Sequence, residues 1–203
     1  VVAGFGSGEL VALRAANGND LWNEALSRAS RTSALSEIRD IPGRPAIYQG
    51  DVFAVSHSGV FAATDLRTGQ ARWSLPVVGV TAPWPAGDVV YVTAKTGEVI
   101  CASRETGQIY WIRALNEGFK SKRKGGVFGI GGQKSTRPIW SGPMLAGERL
   151  LVVGQTGELV ALNAKTGEIA KRLELKGAST ITPIAMGDTI YVVTQEADLI
   201  AIR

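Results

Sequence analysis

The chain has 203 residues, of which 45% are hydrophobic and 20% charged, which is the balance of a folded domain rather than of a disordered segment. One cysteine and one histidine exclude an internal disulfide framework and a Cys/His metal cluster. No apolar run is long enough to cross a bilayer as a helix, and the net charge of +4 is concentrated in one segment.

Read in chain order, one pattern recurs: a Gly, an alternating apolar run, a Thr-Gly or Asn-Gly pair, and a Trp. The first copy runs from Gly8 through Leu10 and Leu13 to Asn17-Gly18 and Trp22. The second runs from Gly59 through Phe61 to Thr68-Gly69 and Trp73, and the third from Gly97 through Val99 to Thr106-Gly107 and Trp111. The fourth runs from Gly157 to Thr166-Gly167 and has Lys171 where the Trp is expected; a fifth begins at Ala197 and reaches the terminus at Arg203. In each complete copy ten residues separate the first Gly from the turn Gly, and the first glycines stand 51, 38 and 60 residues apart.

A bare unit of about 40 residues is the length of one four-stranded propeller blade. In the third copy the strands are predicted at 81–86, 89–94, 98–103 and 108–113. Runs such as Asp88-Val-Val-Tyr-Val-Thr93 place β-branched and aromatic residues on what reads as a half-buried pleated surface. Glycines at the hairpin tips supply the positive φ that such turns need. No stretch has a sustained 3.6-residue apolar period, so no long helix is expected. The fold class is all-β, a β-propeller of four-stranded antiparallel blades. The repeats span about 1–26, 44–78, 79–115, 138–176 and 177–203, with insertions between blades at 27–43 and 117–137. The first copy starts inside its second strand and the last stops inside its third. Strand counts of three, four, four, four and three are therefore expected, as four to five blades forming the C-terminal half of an eight-bladed ring.

The Trp at a fixed place in the last strand reads as an inter-blade packing residue, its indole N–H seeking a carbonyl. Asp65 reads as a hydrogen-bond acceptor for the adjacent turn amides. Cys101 reads as a small packing residue on a strand, and His57, in Ser56-His57-Ser58-Gly59, as a surface turn residue. The insertion 117–137 holds six cations, Lys120, Lys122, Arg123, Lys124, Lys134 and Arg137, against Glu117 alone. It reads as an exposed glycine-rich loop, or as a basic arm for anionic lipid headgroups or an acidic partner. The blades offer no aromatic stacking platform for nucleic acid.

The stretch Thr64-Asp65-Leu66-Arg67-Thr68-Gly69-Gln70, followed by Trp73, resembles the pyrroloquinoline-quinone-type propeller repeat. The order of features, from Trp22 through Ala34-Leu-Ser-Glu-Ile-Arg-Asp40-Ile-Pro-Gly-Arg-Pro45 to Val52 and beyond, resembles the second half of the BamB family of outer-membrane protein assembly factors. That resemblance implies a periplasmic, non-enzymatic scaffold, held at the outer membrane by an N-terminal lipid anchor that lies outside this chain. It implies binding to the POTRA domains of BamA, with nascent outer-membrane proteins as further partners, and no cofactor. An acidic inter-blade loop helps form the family's binding surface; here Asp40 falls on one acidic position and Pro42 on the second. Glu37 adds nearby charge, while Ile38, Arg39 and Ile41 complete the implied contact set. The family's companion Leu/Arg loop is expected before Val1. Two other readings remain open: an adapter for another envelope partner or anionic surface, and a fragment of a quinone-dependent dehydrogenase. The dehydrogenase family's vicinal disulfide is impossible with Cys101 alone.

Overall fold

A computed structural model of the chain describes residues 1–26, 39–117 and 137–203. Every regular element among them is a strand, and the strands form five antiparallel sheets in sequence order, without crossovers. The first sheet comprises β1 (Val2–Gly4), β2 (Glu9–Leu13) and β3 (Asp20–Ala25). The second comprises β4 (Ala46–Tyr48), β5 (Asp51–Val55), β6 (Phe61–Asp65) and β7 (Ala71–Leu75). The third comprises β8 (Trp84–Ala86), β9 (Val89–Thr93), β10 (Glu98–Ser103) and β11 (Ile109–Ala114). The fourth comprises β12 (Trp140–Ala146), β13 (Arg149–Gly154), β14 (Glu158–Asn163) and β15 (Ile169–Glu174), and the fifth β16 (Ile184–Met186), β17 (Thr189–Val193) and β18 (Leu199–Ile202). The strand counts are those the repeat spacing predicts, and the architecture is a partial β-propeller.

Each of the four apolar cores lies between two consecutive sheets. Leu10, Val52 and Ala62 join the first pair, and Phe53, Phe61, Val90 and Val92 the second. Tyr91, Val99, Leu150 and Val160 join the third pair, and Leu151, Val153, Leu159 and Val192 the fourth. The middle strands are therefore buried on both faces, not on one: Val90, Tyr91 and Val92 are 0%, 4% and 0% exposed. This departs from the half-buried surface read from the sequence. A sheet stacked between two neighbours has no solvent face, so its strands carry apolar residues at every position.

The conserved spacing from Thr-Gly to Trp acquires a physical reason here. The ring of Trp22 lies on Gly69 of the next sheet, that of Trp73 on Gly107, and that of Trp111 on Gly167. A Cβ on Gly107 would stand 2.8 Å from Trp73 Cδ2, and the backbone there has φ of 73°. Glycine is thus required twice at this position, by the left-handed turn and by the indole above it. Beside each of these turns the register shifts, at Ala12/Leu13, Ala63/Thr64, Cys101/Ala102 and Ala161/Leu162, as a glycine-type bulge demands. Trp22 Nε1 donates to the Leu66 carbonyl and Trp73 Nε1 to the Arg104 carbonyl, each at 2.8 Å. Trp111 sits in the same way, but its Nε1 has no acceptor. The equivalent carbonyl, of Ala164, instead accepts from the Tyr91 hydroxyl at 3.1 Å. Burial pushes the Tyr91 hydroxyl up to about 12 and, beside it, the Cys101 thiol up to about 11. Cys101 is a buried packing residue of the third core.

Candidate functional site

The meander of each sheet sorts its loops onto two rims. The turns between first and second strands and between third and fourth strands lie on one rim. The turns between second and third strands share the other rim with the connections between sheets.

The first rim holds an ion network that ties the second sheet to the third. The Asp51 carboxylate, 4% exposed as a residue, has Arg72 Nε at 2.6 Å and Arg104 Nη1 at 3.0 Å. Arg72 Nη2 also reaches Asp65 Oδ2 at 2.9 Å, and Arg104 Nε donates to the Gly87 carbonyl at 3.0 Å. Asp65 Oδ1 accepts from the amides of Arg67 and Thr68 at 3.0 and 2.8 Å, the turn role expected from its place in the repeat. These bonds, led by the Thr68 amide, hold the Asp65 carboxyl below the usual carboxylate range. With its charges internally compensated, this network is built for cohesion.

The second rim carries the sequence-predicted contact segment. Its backbone is held at three points. Ile41 N donates to the Phe5 carbonyl at 3.2 Å, His57 N donates to the Asp40 carbonyl at 2.8 Å, and Gly8 lies against the Arg39 backbone. The second of these is a feature of the repeat. In the following sheets Lys95 N donates to Val78 O, Gln155 N to Ile139 O and Gln195 N to Ala178 O. Asp40, Val78, Ile139 and Ala178 are thus equivalent lead-in positions, and Asp40 is the acidic one. Its side chain is half-buried, and Arg39 and Pro42 beside it are exposed.

Ile41 departs from the expected contact set. Its side chain is 5% exposed and packs with Leu10, Leu26 and Val52 in the first core, and Gly4 is needed to make room for it. An apolar side chain at a point where the connection bends over two sheets gains more by burial there than by exposure on a rim. Arg137 is described and exposed, at the end of the second insertion. Glu37, Ile38, Lys120, Lys122, Arg123, Lys124 and Lys134 lie outside the described residues.

Sequence reading missed Lys95. Its Nζ lies 2.8 Å from His57 Nε2. The signal was present: His57 and Lys95 each stand two residues before the glycine that opens their repeat, Gly59 and Gly97, so stacked blades place them side by side. No group of three or more His, Cys, Asp or Glu among the described residues forms a metal site.

The family model described as outer membrane protein assembly factor BamB matches residues 1–113 and 122–203. The chain belongs to the BamB family. BamB of Legionella pneumophila (strain Paris) is 26% identical over 199 residues, covering 98% of this chain and 47% of that protein. BamB of Burkholderia pseudomallei (strain K96243) is 25% identical, covering 100% and 49%. The crystal structure of BamB from Moraxella catarrhalis superimposes with a TM-score of 0.80 at 21% identity, over 98% of this chain and 54% of that one. A quinohemoprotein alcohol dehydrogenase from Comamonas testosteroni aligns with a TM-score of 0.61 at 17% identity, over 75% of this chain and 28% of that one, a likeness of fold alone. The chain spans about half the length of the curated relatives it matches.

Proposed function

We propose that the chain is a non-enzymatic scaffold of the outer-membrane β-barrel assembly machinery. In this reading it works in the periplasm at the outer membrane, binds the POTRA domains of BamA, and aids delivery of nascent outer-membrane proteins. The blades serve as a rigid frame, and the rim that carries the connections between sheets does the recognising. Asp40 pairs with a basic group of BamA, Arg39 and the adjoining Glu37 and Ile38 extend the contact, and Ile41 anchors the segment from beneath. The cations of the second insertion, Arg137 among them, supply contact with anionic lipid headgroups.

The observation that carries this reading is the lead-in comparison. Four backbones make the same hydrogen bond, so the fold demands nothing particular of the side chain, and only at Asp40 is it a carboxylate. A carboxylate at a position where the backbone sets no side-chain requirement is available to pair with a basic group of a partner. Purified POTRA domains give the test. Asp40→Arg is expected to weaken their retention by at least about tenfold, or ~1.4 kcal/mol, with the fold intact by circular dichroism. Unchanged retention would remove Asp40 from the interface.

A further inference from the structure

The two turns that flank Asp40 and Val78 carry a second charged feature, and repeat-equivalent positions isolate it. The residue two places before each opening glycine, or before Ala197 in the last copy, is Gly6, His57, Lys95, Gln155 or Gln195. From His57 onward each one's amide is spent on the preceding lead-in carbonyl. The backbone task is identical, yet side chains able to carry positive charge occupy only the second and third copies. There they meet, Lys95 Nζ on His57 Nε2 at 2.8 Å. Lys95 is exposed, and Val78, whose carbonyl receives the Lys95 amide, is 37% exposed. Asp40, His57, Lys95 and Val78 are therefore linked by three hydrogen bonds, two between backbones (His57 N to Asp40 O, Lys95 N to Val78 O) and one between the His57 and Lys95 side chains.

The geometry points to this linked set as a register-setting docking surface, in which Lys95, held by His57, receives a carboxylate of the same partner segment whose basic group faces Asp40. The inference rests on the proposed role of the Asp40 rim and adds the second half of its charge pattern. Three physical arguments support it. A lysine ammonium held at one of its donors keeps two for a partner, and it has already lost the rotamer freedom that docking would otherwise cost. Two opposite charges on hydrogen-bonded backbones stand at a set spacing, which selects a segment with the complementary pair at that spacing. Val78 provides the apolar contact beside them that desolvates such a pair. The partner segment thus carries a basic residue, an acidic residue and an apolar residue along one edge.

The test uses the intact chain and purified BamA POTRA domains, with affinities measured at two salt concentrations. Lys95→Glu and Asp40→Arg are each expected to weaken binding about tenfold or more and to flatten its salt dependence. Lys95→Met, which keeps the aliphatic stem, is expected to do so to a smaller extent. Gln155→Glu places the same new charge at the equivalent turn of another sheet and is expected to leave affinity unchanged. Weakening by Asp40→Arg without any effect of Lys95→Glu or Lys95→Met overturns the docking surface and leaves the Asp40 reading standing. Equal weakening by Gln155→Glu overturns it as well, because the effect would then belong to net charge. Indifference of binding to Asp40→Arg and Lys95→Glu alike overturns both readings.

Discussion

Asp65 and Asn163 occupy the same place in two repeats, four residues before the turn glycine, and each side-chain oxygen accepts the two amides that follow. Ser103 does part of the same work in the third copy, its hydroxyl accepting from the Thr106 amide at 3.2 Å. The turn needs an acceptor and not a charge. Asp65→Asn is therefore expected to be milder than Asp65→Ala at pH 7, when thermal midpoints are compared. The charge adds a pH dependence of definite sign. Because the folded carboxyl is held below its unfolded value of about 3.9, its contribution is complete above that value and is lost as pH falls through the lower folded one. The gap between the unaltered chain and Asp65→Asn should accordingly close as a melting series is taken from neutral pH to below about 3. A gap that stayed constant would show that ionisation of Asp65 has no part in stability. The neighbouring Arg72 belongs to the same account, since it joins Asp65 to the buried Asp51.

At the scale of the element, the unit of cohesion is a strand of one sheet and a turn of the next. Trp73 packs edge-on against Phe61, with ring centroids 5.3 Å apart, covers Gly107, and donates to Arg104. Trp73→Ala should cost about 3 kcal/mol by denaturant unfolding, the lower end for large aromatic truncations because the indole is only half-buried. Gly107→Ala should cost about 1–3 kcal/mol, from positive φ and from the clash with that indole. The clash vanishes when the indole is gone, so the double variant should lose less than the two single losses combined. Additivity would mean that the ring does not rest on the glycine. The turn, the bulge and the Trp position were legible in the sequence because all three are local and repeat together. The departure at Trp111 was not. Its lost acceptor depends on Tyr91, twenty positions away in the chain but in the same core. Lys171 takes the Trp position in β15.

At the scale of the whole molecule, a residue's environment depends on which sheets flank its own. Phe61, Val99, Leu159 and Leu199 share one repeat position, two residues past the opening glycine or, in the last copy, past Ala197. The first three are 0%, 0% and 5% exposed, and Leu199 is 65% exposed. Leu159→Ala should therefore cost about 2–5 kcal/mol, whereas Leu199→Ala should stay within about 0.5 kcal/mol. Matched unfolding curves check this directly, and a comparable loss at both positions would mean that Leu199 is covered in solution. The same logic governs the rim. Ile41, read from the sequence as part of a partner contact, is buried because it packs with Leu10 and Val52 from two different sheets. Lys95 was overlooked because its partner His57 lies 38 residues away.

By itself, the sequence determined the strands, the turns, the number in each sheet and the family, since periodic alternation and glycine conformation are local properties that recur at a fixed spacing. Only the tertiary structure decided which apolar residues are core, which indole finds a carbonyl, and which side chains meet on the rim. Those outcomes depend on stacking between sheets, where contact is set by the repeat interval and not by neighbourhood in the chain.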